Sequence, residues 1–79
     1  MQNRQDHFAY CVQLFGGVTS FARRFRIDER AVRRFINGER PISDGLLEDT
    51  AQALRTLATD SLAAAEAISA ALPGEDSAA

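Results

Sequence analysis

The sequence predicts an all-α fold, a compact bundle of about five helices. Three observations predict it. Apolar residues recur at helical spacing along the chain, with no strand-like alternation of useful length. Gly16-Gly17 and Asn37-Gly38, followed by Pro41, cut the first half into short segments. From Ser43 to Leu72 the chain is alanine-rich with apolar stripes. At 79 residues it is a single small domain over 1–72, near the lower limit for an independent core, with a frayed tail over 73–79. Such a core rarely supplies more than about 3–5 kcal/mol, so self-association is an expected source of added stability.

The first helix is predicted over Gln5–Phe15, with Phe8, Val12 and Phe15 in register and Cys11 flanking. Glycine accepts the left-handed backbone that ends helices, so Gly16-Gly17 stops it. The second, VTSFARRF over 18–25, turns Phe21, Ala22 and Phe25 inward and Arg23 and Arg24 outward. Arg26-Ile27-Asp28 makes a tight turn, and Asp28 is a good N-cap for a third helix over Glu29–Asn37. Asn37-Gly38 ends that helix, and Pro41 prevents its return. Ser43 caps the fourth helix, with Asp44 and Glu48 near its positive end. One stripe there comprises Leu46, Leu47, Ala51, Leu54, Leu57 and Ala58; another comprises Leu62, Ala65, Ile68 and Leu72. Thr59-Asp60-Ser61 either caps a fifth helix or sits inside one long one, and a break is the expectation.

The net charge of −2 hides an asymmetry. Residues 1–42 carry eight arginines against four carboxylates, +4, whereas residues 43–79 carry Arg55 against seven, −6. A basic surface for nucleic acid or another anion, with a separate acidic end, fits that division. All nine cations are arginine, whose planar fork matches phosphate or guanine better than the point charge of lysine. A GC-rich coding bias explains the missing lysines equally well.

RAVRRFINGER, residues 30–40, concentrates the charge. At about 100° per residue, Val32, Phe35 and Ile36 fall on one side of the third helix. Arg30, Arg33, Arg34 and Asn37 fall on the other, at i, i+3, i+4 and i+7. One side fits a core while the opposite side presents three guanidinium groups. The second helix complements it, with a small Ala22 that permits close approach of a neighbour. Two short helices joined by a tight turn, the second bearing the exposed polar edge, form the helix-turn-helix pattern.

FGGVTSFARRFRIDERAVRRFI followed by NGERP resembles the helix-turn-helix of the lambda repressor and Cro class of regulators. Ala22 stands at the small position, Ile27 at the apolar turn position, and Val32 and Phe35 at the buried positions of the recognition helix. The match covers residues 15–42, with the motif over 18–37; beyond it the chain fits by helix count. The chain also resembles the small phage regulators encoded beside anti-CRISPR genes, which repress their own operons. Two positions depart from the class: Arg26 stands where the turn has glycine, requiring either a negative φ or tolerated strain. Val18 stands where glutamine often reaches a phosphate, so that contact passes to Thr19 or Ser20 at a helix N-terminus suited to anions.

Geometry then assigns roles. Arg33 and Arg34 face the groove, each able to bond guanine O6 and N7 for about 1–3 kcal/mol of discrimination. Arg30 reads a base or holds a phosphate. Glu29 either accepts from cytosine N4 or orients an arginine. Asn37 and Arg40 grip phosphate, setting register without reading sequence. Arg24 is counted with them, although for Arg23, Arg24 and Arg26 plain solubility is an equal reading.

Rival functions meet chemical obstacles. A solvated helix paired with the acidic half would also carry such arginines, but not at recognition positions. A membrane-surface helix needs a broad free apolar face, and Val32, Phe35 and Ile36 are claimed by the core. There is no run of about 18 apolar residues for a span, and the polar start MQNRQDHFAY lacks a signal-peptide core, so a cytoplasmic location is expected. His7 and Cys11 are four apart on one helix, but two ligands do not close a zinc site, so no metal or cofactor is expected. Cys11 reads as a core residue and His7 as a surface one. One histidine, one cysteine and serines mainly at caps supply no nucleophile, base and orienter, so no enzymatic activity is expected. The remaining alternative is an antitoxin or adaptor of the same fold whose acidic, alanine-rich half binds a basic protein.

The expected assembly is a symmetric homodimer through C-terminal helices at 43–72, using some of Leu54, Leu57, Leu62, Ile68 and Leu72. Its recognition helices would stand about 34 Å apart, one turn of B-DNA, making an inverted repeat in a promoter the target. Repression is what the resemblance implies. No pocket for a small-molecule effector is evident in the sequence.

Overall fold

The computed structural model describes residues 3–73, which form four helices. They are α1 (Arg4–Leu14), α2 (Val18–Phe25), α3 (Glu29–Asn37) and α4 (Asp44–Ala71). The fold is all-α, with no strand among the described residues. The expected tail lies, from Gly74 onward, outside them.

Capping side chains set most helix starts. Asn3 accepts from the Asp6 amide at 2.7 Å, Asp28 from Arg30 at 2.9 Å, and Ser43 from Leu46 at 3.1 Å. Each satisfies an amide that the first turn leaves without an intrahelical partner. At Gly38 the chain leaves α3 with φ of 82°, the left-handed conformation that closes a helix on glycine. A Cβ there would meet only the flexible end of the Gln5 side chain, which can swing aside, so the positive φ is what favours glycine.

The expected five helices are four. The anticipated break at Thr59-Asp60-Ser61 does not occur, and α4 runs unbroken for 28 residues. Hydroxyl residues need not cap a helix, because they can bond to a carbonyl one turn back and remain within it. Thr50 Oγ1 donates to the Leu46 carbonyl at 2.8 Å and Thr56 Oγ1 to the Gln52 carbonyl at 3.3 Å. Neither glycine nor proline interrupts residues 46–72, and the surrounding alanines and leucines are strong helix formers.

The core lies where α1, α2, α3 and the start of α4 meet. Phe8, Val12, Phe21 and Val32 are fully buried, joined by Cys11, Ala22, Ile42 and Thr50. Phenylalanine fills most of this volume. Phe21 meets Phe8 and Phe15 edge-on at 5.3 and 5.4 Å between centroids and stacks on Phe25 at 4.2 Å. Phe8 also meets Phe35 edge-on at 5.9 Å, which ties α3 to α1. Such ring pairs contribute about 0.5–1.5 kcal/mol each beyond the area they bury. At the other end, Arg4 donates to the Ile42 carbonyl at 2.8 Å and pairs with Asp44 at 3.0 Å, fastening α1 to the start of α4.

The core does not extend along all of α4. Leu46, Leu47, Ala51, Leu54 and Leu57 are partly covered, but every residue from Ala58 to Pro73 is exposed. The molecule measures 53 × 27 × 18 Å, and a 28-residue helix is about 42 Å long. The distal half of α4 therefore stands away from the other three helices as an overhang.

Candidate nucleic-acid interface

The segment from α2 to α3 builds a charged surface from the core outward. Phe21 and Ala22 of α2 and Val32 of α3 are buried, which fixes the rotation of both helices about their axes. Arg23 and Arg24 of α2 and Arg30, Arg33 and Arg34 of α3 consequently point to solvent, with Asn37 exposed one turn further. The expected division of α3 into a covered apolar side and an open cationic side holds in the structure. Phe35 and Ile36, at intermediate exposure, mark its boundary.

The connection between the two helices is compact. Arg26 adopts the left-handed conformation, with φ of 57° and ψ of 45°, so the turn carries the strain that a side chain brings where glycine would be easiest. That conformation costs about 1–2 kcal/mol for a residue with a Cβ. The Ile27 amide donates to the Ala22 carbonyl at 3.0 Å, which closes the end of α2. Ile27 is half-buried against the core cluster and holds the turn down.

Individual arginines have different surroundings. Arg33 pairs with Glu29 one turn earlier at 3.2 Å, both side chains being partly exposed. An exposed pair of this spacing contributes only about 0.3–0.5 kcal/mol, so it orients Arg33 without committing it. Glu29 and Arg33 are thus in direct contact on the surface of α3. Among the described residues, no carboxylate pairs with Arg30 or Arg34. Arg40 lies over the Phe35 ring at 5.7 Å and Arg24 over Phe15 at 5.5 Å. Those contacts anchor the guanidiniums on the rim by cation–π attraction while leaving their donors outward.

The start of α2 completes the surface. Gly17, at φ of 110°, occupies the cap position, and no side chain caps the helix there. The first amides of a helix have no intrahelical acceptor, and the helix dipole adds partial positive charge. Thr19 is exposed and Ser20 partly so, beside those amides. Phosphate would suit that terminus.

Sequence reasoning overlooked Arg4, Ile42 and Thr50. Arg4 sits in the first turn of α1, where the helix dipole disfavours a cation, and that oddity was the available signal for a tertiary contact. Ile42 lies between Pro41 and a capping serine, too short a stretch to show a period. Thr50 breaks the apolar stripe of α4, and only its bond to the Leu46 carbonyl makes its burial tolerable. An open recess of about 260 Å³ lies between the start of α1 and the α3–α4 loop, lined by Arg4, Gln5, Gly38, Arg40, Pro41 and Ile42. Arg4 and Arg40 are already engaged there, by Asp44 and by Phe35.

The residues expected at an assembly interface divide into two sets. Leu54 and Leu57 are half-covered by their own chain, whereas Leu62, Ile68 and Leu72 are 63%, 61% and 55% exposed. Cys11 is buried beside Val12, and burial pushes its thiol up from the ordinary range. His7 is exposed and meets only Tyr10 among the ring pairs of the described residues. No described helix is long and apolar enough to cross a membrane. Searches of known protein families, curated proteins and solved structures found nothing that matches the chain.

Proposed function

We propose that the chain is a sequence-specific double-stranded DNA-binding repressor, acting as a homodimer on an inverted repeat and controlling its own operon. In this reading α2 and α3 are a helix-turn-helix of the lambda repressor and Cro kind, with α3 entering the major groove. The observation that carries it is the pairing of a fully buried Val32 with outward Arg30, Arg33 and Arg34 on one short helix. A rod locked into hydrocarbon on one side offers its cations in a fixed register, which base reading requires.

Arg33 and Arg34 read bases, and guanine is the base whose O6 and N7 match a guanidinium fork. Arg30, nearer the start of α3, reads a base or holds phosphate, while Glu29 sets the orientation of Arg33. Thr19, Ser20 and the uncapped amides at the start of α2 take a backbone phosphate. Arg24, Asn37 and Arg40 grip phosphates at the rim. Repression arises from occupancy: a dimer on a promoter overlaps the site that polymerase needs. The operon, by the resemblance to small phage regulators, is carried by a phage or mobile element and is of the anti-CRISPR kind.

Gel shift and footprinting on the DNA upstream of the chain's own gene test this reading. A protected inverted repeat is expected. Arg33→Ala or Arg34→Ala should reduce specific affinity by roughly 5–150-fold per half-site, the equivalent of about 1–3 kcal/mol, with far less effect on non-specific binding. Equal loss of both would demote the two arginines to phosphate contacts. An unprotected upstream region, with no duplex bound above background, would end the proposal.

A further inference from the structure

The apolar side of α4 continues past the point where the chain's own core stops. Taking Leu47 as the first of a heptad, Leu47, Leu54, Ser61 and Ile68 share one row. Thr50, Leu57, Ala64 and Ala71 form the second row, and Ala51, Ala58, Ala65 and Leu72 the third. These three rows make one seam along the helix. In its first half, Thr50 is buried and Leu47, Ala51, Leu54 and Leu57 are partly covered. In its second half nothing among the described residues lies against it, and its positions are taken by alanine and serine up to Ile68.

We propose that the same seam of a second copy covers this half, running antiparallel, with Ser61 of each copy opposite Ala65 of the other. The distribution of side-chain size supports this register. From Leu54 to Leu72 the seam has small residues (Ala58, Ser61, Ala64 and Ala65) in its middle and large ones at its ends, the partly covered Leu54 and Leu57 on one side and the exposed Ile68 and Leu72 on the other. Antiparallel pairing about residue 63 sets small against small at the centre, where helix axes approach to about 8 Å. It also sets Ile68 against Ala58 and Leu72 against Leu54, so large residues meet gaps or each other at both ends. Parallel pairing would place Ile68 on its own counterpart and leave Leu54 facing Leu54 beside two bulky cores.

Charge selects against other occupants. Past Arg55 the described overhang carries only Asp60 and Glu66. At about 100° per residue both lie more than about 90° from the middle of the seam. The uncovered surface is therefore uncharged, which suits an identical apolar surface and offers a basic protein no carboxylate at the contact. Isolated helices of about 12–15 residues are marginal in water, so an overhang of this length gains most from a partner lying along it.

The arrangement also sets a distance. Thr50, where α4 enters the core, lies 13 residues from the centre of the pairing. Two copies then hold their cores about 39 Å apart along the helix pair, at about 1.5 Å per residue. That separation of the two Thr50 positions is of the same order as the half-site spacing of about 34–36 Å for recognition helices one turn of B-DNA apart. The match in spacing rests on the DNA-binding reading; the pairing itself does not.

The test is made without DNA, on the full chain. Sedimentation velocity over a micromolar concentration series should show a dimer. Ala65→Glu puts a carboxylate into the centre of the seam and should weaken the dimer by roughly 100-fold or more. Because glutamate is a good helix former and residue 65 is exposed in a single chain, helicity should be retained. Glu66→Gln, off the seam, should leave the dimer intact. Orientation is read by mixing Ala58→Cys and Ile68→Cys chains under mild oxidation. The mixture should form a 58–68 disulfide, whereas neither chain alone should cross-link, since like positions stand about 15 Å apart along the axis. The buried Cys11 thiol stays out of that reaction.

A monomer at every concentration, a dimer indifferent to Ala65→Glu, or disulfides between like positions would each overturn the proposal. Loss of DNA binding with the dimer and the 58–68 link intact would remove the DNA-binding reading alone. DNA binding retained without the dimer or the 58–68 link would remove the pairing. A chain that is monomeric at every concentration would also remove the homodimer from the DNA-binding reading while leaving its arginine surface.

Discussion

α3 and the distal half of α4 are both open to solvent, but for opposite reasons. In α3 the exposed side is cationic and its reverse is sealed into the core at Val32. In α4 beyond Leu57 the exposed side includes the apolar seam, and no core of the described residues lies beneath it. The arginines of α3 are well solvated as they stand, so their clustering asks for an explanation in recognition. Ile68 and Leu72 on that seam are poorly solvated, so their exposure asks for a surface to cover them. The two proposals assign each side its own kind of partner, phosphate-rich for the rigid cationic helix and apolar for the unsupported one.

The largest effects should fall on the rigid side of this contrast. Phe21→Ala removes a ring that contacts three others, and deletions of this type cost about 3–5 kcal/mol. That matches the whole stability of about 3–5 kcal/mol expected for a core of this size, so the variant should be unfolded at room temperature by circular dichroism. Ile68→Ala, the deletion of a similar apolar group from the overhang, should shift the stability of dilute, monomeric protein in urea by less than about 0.5 kcal/mol. If both variants unfold equally at low concentration, the overhang belongs to the cooperative core and the contrast fails.

The turn between α2 and α3 gives a smaller test. Arg26→Gly relieves the left-handed strain and should stabilise by about 1 kcal/mol. For a chain of this size that raises the melting temperature by about 4–8 °C. An unchanged melting temperature would mean that the gain is cancelled by the greater freedom glycine gives the unfolded chain, and a lowered one that the Arg26 side chain makes a compensating contact. At the other end of the scale, the Arg4–Asp44 pair is largely exposed. Asp44→Asn should therefore change stability by no more than about 1 kcal/mol. Arg4→Ala should cost more, because it also strips the Ile42 carbonyl of its partner.

The parts of the fold that short-range chemistry determines were legible in the sequence. Asp28 and Ser43 cap helices because a side-chain oxygen reaches an amide two or three residues on, and Gly38 ends one because it adopts positive φ without strain. The separation of Val32 from Arg33 and Arg34 needed only helical periodicity and the placement of one apolar row in a core. Where the alternatives were close in energy, the reading failed. Thr59-Asp60-Ser61 carries the side chains of a cap, yet an alanine-rich helix accommodates them at small cost and α4 continues. Ile42, Thr50 and the Arg4 link to Asp44 depend on residues far apart in the chain, and no local period announces them. The surface on α3 was legible residue by residue, whereas the extent of the overhang on α4 needed the knowledge of where the core ends.

The dependence of duplex DNA affinity on salt tests the central claim most directly. If the arginine surface of α3 and its rim neutralise about 6–10 phosphates per dimer, affinity should fall about 10³–10⁵-fold between about 50 and about 200 mM salt. Arg24→Ala or Arg40→Ala should each make that dependence shallower. A flat dependence, or no measurable affinity at the lower salt, would contradict the account.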